Sequence, residues 1–346
     1  HENLFILYSS LSLKMSKTLI LAAGLIGANA TLFSEDAKIV QYTFDQFKQE
    51  YGRTYASPEE EKTRFGHFMN NLKIIDERNK AETGSAIHGI TRFADLSQDE
   101  FKSQFLTAKS SRESTSALRT VVEHVEATVN ATGLVDWSGK YTTPVKDQGY
   151  CGSCWAFSAT EQLESDSMRV LGSSYVLSAE QTNQCTNYVF GGGCGGGMTE
   201  SAYKYFQNEG GLVQDSDYPY TASTYAGKTG ACEVDTSLDV LSLTGYTQIK
   251  GETNMANYML GTGPLSVCVA AEIWNTYRSG IMTTCPGGVD HCVQAVGVDT
   301  SVVGGYWKVR NSWGTSWGED GYIRISYGQD TCKITDDATY VDAIKA

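Results

Sequence analysis

Between Gln148 and Gly172 the chain reads QGYCGSCWAFSATEQLESDSMRVLG, and this stretch constrains the fold more than any other. Gly149 and Gly152 loosen a loop that runs into a helix of about five turns, with Cys154 at the junction and Gly172 where a C-cap glycine belongs. A thiol at that junction meets the positive end of the helix dipole, which favours thiolate and makes the cysteine a nucleophile. Gln148, six residues upstream, supplies an amide donor that can join a backbone N–H in holding an oxyanion.

A nucleophilic thiol needs a base within hydrogen-bond reach and a group that orients the base. From residue 131 onward there is one histidine, His291, so a Cys-His pair in this part of the chain must use it. Taken alone, a single histidine is more often structural than catalytic. Periodicity separates two halves: residues 131–240 read as helical, whereas 241–346 carry short alternating runs such as GYWKVRNSW and GYIRISY and read as β-rich. The expected class is therefore α+β, and a pair of lobes with the cleft between them would place Cys154 on one wall and His291 on the other.

CGSCWAF, residues 151–157, resembles the nucleophile motif of papain-like cysteine proteases, with His291 in VDHCVQAVGVD and Asn311 in NSWGTSWGEDGYIRI following 137 and 157 residues after Cys154. The resemblance implies a papain-like two-lobed fold, helical on one side and β-barrel-like on the other, and peptide hydrolysis through an acyl-enzyme on Cys154. It implies that Asn311 orients His291, that Trp313 shields that bond, and that Gln148 serves the oxyanion. Gly196 and Gly197 would pair with substrate backbone, with a glycine at 195 where the family usually has Asn. Met198, Trp317, Cys268, Cys292 and Asp337 would line substrate subsites; Asp336 is the alternative if the register is one residue out. A carboxylate at the base of the P2 pocket admits Arg as well as apolar side chains. No loop insertion or extra histidine blocks the cleft, so an endopeptidase is expected.

Nine cysteines behind a signal sequence imply an oxidising compartment, and the odd count leaves one thiol free. The resemblance implies the pairs Cys151–Cys194, Cys185–Cys232 and Cys285–Cys332, and leaves Cys268 and Cys292 as either a fourth disulfide or two buried thiols. Neither a metal nor a cofactor is expected, because the C-x-x-C of Cys151 and Cys154 has no second pair and no histidine cluster.

Upstream, residues 1–14 precede the first candidate initiator, and Met15–Ala30 has the three parts of a signal peptide, too short to span a membrane. Residues 31–130 form a separate unit. Glu60, Arg64, Phe68, Asn71, Ile75 and Asn79 keep to one helical stripe, which an ordinary amphipathic helix would also show. They resemble the E-R-F-N-I-N pattern of cathepsin L-type inhibitory propeptides, and Gly89, Phe93 and Asp95 match its G-x-N-x-F-x-D element with Thr91 in place of Asn. The Ser/Thr-rich stretch 106–130 is the expected linker, cut near Ala131 beside a sequon at Asn130.

Net charge is −13, of which −11 lies from 131 onward (12 basic and 23 acidic residues), and such a surface disfavours nucleic acid and anionic membrane. The partners implied are protein or peptide substrates, the chain's own propeptide and cystatin-like inhibitors, for a monomer destined for a lysosome, a vacuole or the extracellular fluid. Two other classes remain as rivals: a thiol-disulfide oxidoreductase using Cys151 with Cys154, and a non-catalytic inhibitor acting through the upstream unit.

Overall fold

The computed structural model describes residues 31–108, 132–186 and 192–346. The signal peptide, most of the linker, the Asn130 sequon and Ala131 lie outside the described residues.

The upstream unit is helical. Helix α1 (Ala37–Glu50) starts at Asp36, whose carboxylate accepts the Lys38 N–H. Helix α2 (Pro58–Ala81) combines a Ser57 N-cap, a proline at its first position and three glutamates in its first turn, each favourable at a positive helix end. The six-residue stripe lies on this one helix, and its members do different jobs. Phe68 and Ile75 are buried with Val40, Phe44 and Phe47 of α1. Asn71 donates to the carbonyls of Ala94 and Leu96, both at 2.8 Å, and accepts from Gln98 at 2.9 Å. Asn79 brackets both backbone groups of His88 at the end of strand β1 (Ile87–His88). Arg64 reaches Glu100 at 2.9 Å on helix α3 (Gln98–Phe105), which opens with a Ser97–Glu100 capping box. The polar stripe therefore fixes the course of residues 88–100.

Downstream, β2 (Leu134–Asp136) precedes four helices, α4 (Cys154–Leu171), α5 (Ala179–Cys185), α6 (Thr199–Asn208) and α7 (Ala222–Tyr225). Then come β3 (Leu241–Ile249), α8 (Glu252–Gly261), β4 (Leu265–Val269), β5 (Tyr277–Ser279), β6 (Ile281–Met282), β7 (His291–Asp299), β8 (Tyr306–Arg310), β9 (Tyr322–Ser326) and β10 (Asp337–Lys345). The sheet runs β3-β10-β4-β7-β8-β9-β6 with β2 added on β7, while β1 pairs with β5. The expected barrel-like lobe is instead an open sheet: among the described residues β3 and β6 do not pair with each other. The β3–β10 end lays Leu241, Leu243, Val341 and Ala343 against Trp155, Leu163 and Phe206 of the helices, which draws it away from closure. Nor does the chain divide cleanly near 240, since β2 joins the sheet from the helical half and α8 sits in the β-rich half.

Helix α4 ends at Gly172 in the left-handed conformation, as its sequence predicts. It is buried along most of its length, and its acidic residues are matched there. Glu164 meets Lys146, Glu161 lies 3.3 Å from Arg310, and Asp166 holds Arg169 and the Val341 N–H. Removing one partner would strand a buried charge, at a cost of about 3–5 kcal/mol. Four disulfides form, Cys151–Cys194, Cys185–Cys232, Cys285–Cys332 and Cys268–Cys292, so the pair left open by the sequence is bridged.

Candidate active site

Cys154 is the first residue of α4 and the one free cysteine among the described residues. Ser153 makes no side-chain cap, so the first N–H groups of the helix keep no side-chain partner from that residue. The backbones of Cys292, Thr107 and Trp155 face the sulfur and draw its pKa down, but complete burial outweighs them and pushes the thiol up to about 11.

The residue before Cys292 is His291, at the start of β7 and fully buried. Its Nε2 lies 2.8 Å from Oδ1 of Asn311, and its Nδ1 has no hydrogen-bond partner among the described residues. Trp313 stacks on the imidazole with ring centroids 4.8 Å apart. Burial holds His291 down at about 4, against smaller opposing effects from Asn311 and the Phe105 backbone. Thiol and imidazole are thus both neutral in this state. Gln148 is held from two sides, its Oε1 accepting from Ser312 at 2.6 Å and its Nε2 donating to the Cys151 carbonyl at 2.9 Å. The second hydrogen of that amide remains available beside the first turn of α4.

Burial has a visible cause. Past α3 the upstream chain crosses the site: Thr107 donates to the Gly152 carbonyl at 2.6 Å, and the Ala108 N–H reaches the Asp290 carbonyl at 3.0 Å. Added methyl groups at Gly152 or Gly196 would overlap Thr107, so these glycines admit a second backbone at close range. Phe93, Phe101 and Phe105 pack edge-on against Trp313. Thr91, where the family motif has Asn, hydrogen bonds to the Asn275 carbonyl and so ties the motif to the downstream unit. Arg92 pairs with Asp147 and also donates to the Trp313 carbonyl. At the β1–β5 seam, Thr276 Oγ1 lies 2.8 Å from both Arg78 Nη1 and His88 Nδ1.

The remaining predicted residues fall as follows. Gly197 abuts Trp155, where a Cβ would sit 2.7 Å from the ring, and Met198 is buried as the residue before α6. Asp337 is buried on β10 directly opposite Cys268 of β4, with Gln248 donating to its Oδ1 at 3.2 Å. Asp336 lies in the turn before that strand. Trp317 is fully buried between Trp274, Trp313 and Tyr277, so in this state it supports the Trp313 ring. Sequence reasoning missed Thr107, Ala108, Asp290 and Ser312. Only the adjacency of Asp290 and Ser312 to matched motif residues could have flagged any of them.

Residues 132–342 match the model of the papain family of cysteine proteases, and residues 44–101 match that of the cathepsin propeptide inhibitor domain. The chain belongs to the papain family. It is 35% identical over 319 residues to cysteine proteinase 15A of Pisum sativum, covering 85% of this chain and 84% of that one. It is equally similar over 311 residues to a cathepsin L-like proteinase of Phaedon cochleariae, covering 87% and 93%. Among solved structures, digestive procathepsin L 3 of Tenebrio molitor superposes with a TM-score of 0.76 at 30% identity, covering 88% of this chain and 99% of that one. This papain-family chain is a cysteine endopeptidase precursor of the cathepsin L type, with an inhibitory propeptide upstream of the peptidase. The rival redox pair is excluded, since Cys151 is bonded to Cys194.

Proposed function

We propose that Cys154 and His291 are the reacting pair of this endopeptidase. Uncovered, Cys154 passes its proton to His291 Nδ1 and attacks the peptide carbonyl, forming the acyl-enzyme. The imidazolium gives the proton to the leaving amine, and water attacks the thioester to release the second product. Asn311 keeps the ring's other nitrogen engaged, and Trp313 excludes water from that bond. Gln148 and the Cys154 N–H receive the oxyanion, where one donor contributes on the order of 3 kcal/mol. The carrying observation is the imidazole clamped on Asn311 with a bare Nδ1, next in sequence to a backbone facing the only free thiol described.

In this reading residues 31–130 are the propeptide and 131–346 the mature enzyme, made in the secretory pathway for a lysosome, a vacuole or the extracellular space. Gly196 and Gly197 take substrate backbone, while Met198, Cys268, Cys292 and Asp337 surround the P2 side chain and Trp317 supports the leaving-group side. Asp337 then favours Arg beside apolar residues at P2. Cystatin-like proteins are candidate inhibitors of a monomeric enzyme.

The test is labelling. After acid treatment of the precursor, an epoxide probe should modify Cys154 alone, and Cys154→Ser or His291→Ala should abolish peptide hydrolysis. Retention of hydrolysis by Cys154→Ser would sink this assignment.

A further inference from the structure

The Cys268–Cys292 bridge lies closer to the reacting atoms than its place in the sequence suggests. Ser158 of α4 meets Ser266 of β4 at 2.7 Å and the Val293 carbonyl of β7 at 2.7 Å. Opposite Ser266 stands Gln294, whose amide donates to Ser165, Gln162 and the Glu161 carbonyl. That face of β4 and β7 therefore looks onto α4. Side chains two residues apart on a strand share a face, so Cys268 and its partner Cys292 look the same way. Moving from Gln294 and Ser266 to Cys292 and Cys268 runs toward the start of α4, and one turn before Ser158 is Cys154.

Asp337, Cys268 and Cys292 stand directly opposite one another across β10, β4 and β7, with Cα atoms 4.0 Å apart at the bridge. The next pair, Val269 with His291, is the last of the β4–β7 ladder. The regular ladder stops there, and the reaction places its base on that last pair. His291 has a side-chain clamp on one nitrogen only, and the backbone around Cys292 is held by Ser158 on the Val293 carbonyl and by the Asp290 N–H on the Val269 carbonyl at 3.0 Å.

We propose that the Cys268–Cys292 disulfide is a positioning element for catalysis, pinning the end of β7 so that the Cys292 backbone stays against the Cys154 sulfur and His291 stays in line with it. This rests on the reading of Cys154 and His291 as the reacting pair. The bridge touches no substrate bond that breaks. It acts through the two residues beside it, and it forms one wall of the pocket whose next strand carries Asp337.

The experiment compares mature parent enzyme with Cys268→Ala/Cys292→Ala on a peptide with glycine at P2, so that loss of pocket contacts does not enter. The expected result is a kcat about 10- to 100-fold lower at unchanged KM, the scale of a small misplacement of reacting groups. The acid limb of kcat/KM should also move up by about one pH unit, because the thiolate loses a donor. Parent-like kcat and acid limb, with only a lower melting temperature, would reduce the bridge to a structural staple and overturn the proposal. For a variant that does not fold, the parent is treated with graded dithiothreitol, and activity is plotted against the opened Cys268–Cys292 fraction mapped by alkylation and mass spectrometry. Activity should fall in step with opening, and full activity with the bridge open also overturns the proposal. Hydrolysis surviving Cys154→Ser would instead remove the underlying reading, a separate result.

Discussion

His88 offers a direct test of how the propeptide is held. Its ring is buried against Thr276, and burial together with Arg78 lowers its pKa from 6.5 to about 4. Thr276 Oγ1 has one hydrogen. Arg78 can only donate to that oxygen, whose hydrogen has two acceptors in reach, His88 Nδ1 at 2.8 Å and the Ile273 carbonyl at 3.4 Å, and only a neutral ring leaves Nδ1 able to accept it. Around the ring the charged groups are Arg78 and, one residue past the strand partner Tyr277, Arg278; Glu272 acts on Arg78. A docked pKa below the free one means that docking is fully supported above about pH 6.5 and weakens as pH falls toward 4. At pH 5 the two pKa values give a factor of about 30 in the docking constant, or about 2 kcal/mol. His88→Gln keeps an acceptor and cannot be protonated. In full-length chains inactivated by Cys154→Ala, amide exchange of residues 86–108 should therefore be about 30-fold slower at pH 5 in the glutamine variant, and nearly equal at pH 7.5. Asp290, which burial raises to about 7, and His291 titrate in both chains and cancel in the ratio. Equal exchange at pH 5, or a docked His88 that titrates near 6.5, would refute the reasoning.

Asn71→Ala strands the Ala94 and Leu96 carbonyls at about 1–3 kcal/mol each, so precursor activity at neutral pH should rise at least about 10-fold, as read with a fluorogenic peptide. Because burial keeps the Cys154 thiol up at about 11, its alkylation by iodoacetamide should be negligible at pH 7 in the precursor and fast once the propeptide is removed. Identical rate profiles for the two forms would contradict the account of burial. Asp337→Ala should lower cleavage of peptides with Arg at P2 about 10-fold while leaving those with Phe at P2 unchanged, as measured on paired reporter peptides.

Much of this was legible before any coordinates. The spacing of Glu60 to Asn79 fixed a helix face, because partners on one side of a helix repeat every three or four residues, and Arg64, Asn71 and Asn79 found partners in residues 88–100 while Glu60 holds the Ala56 N–H and Arg64. The free thiol followed from an odd cysteine count. Barrel closure did not follow, since it depends on what covers the edges of β3 and β6, which no strand pattern states. Strand β2, three residues long, is too short to show a period. The contact of Thr107 with Gly152 and Gly196 is an approach of one backbone to another, and it leaves only glycines as a trace. His88 is a lone histidine until the seam with Thr276 is seen.

Strand β2 sits just past the region where the precursor is expected to be cut, and it is stitched to β7, the strand that begins with His291. A cut upstream of it would leave the new amino terminus anchored, so severing the chain need not disturb the enzyme's fold. What changes is the arithmetic of inhibition: a tethered blocker acts at a fixed effective concentration, whereas a severed one becomes an ordinary ligand. Dilution alone should then free the enzyme, and crowding the severed blocker back in should silence it again.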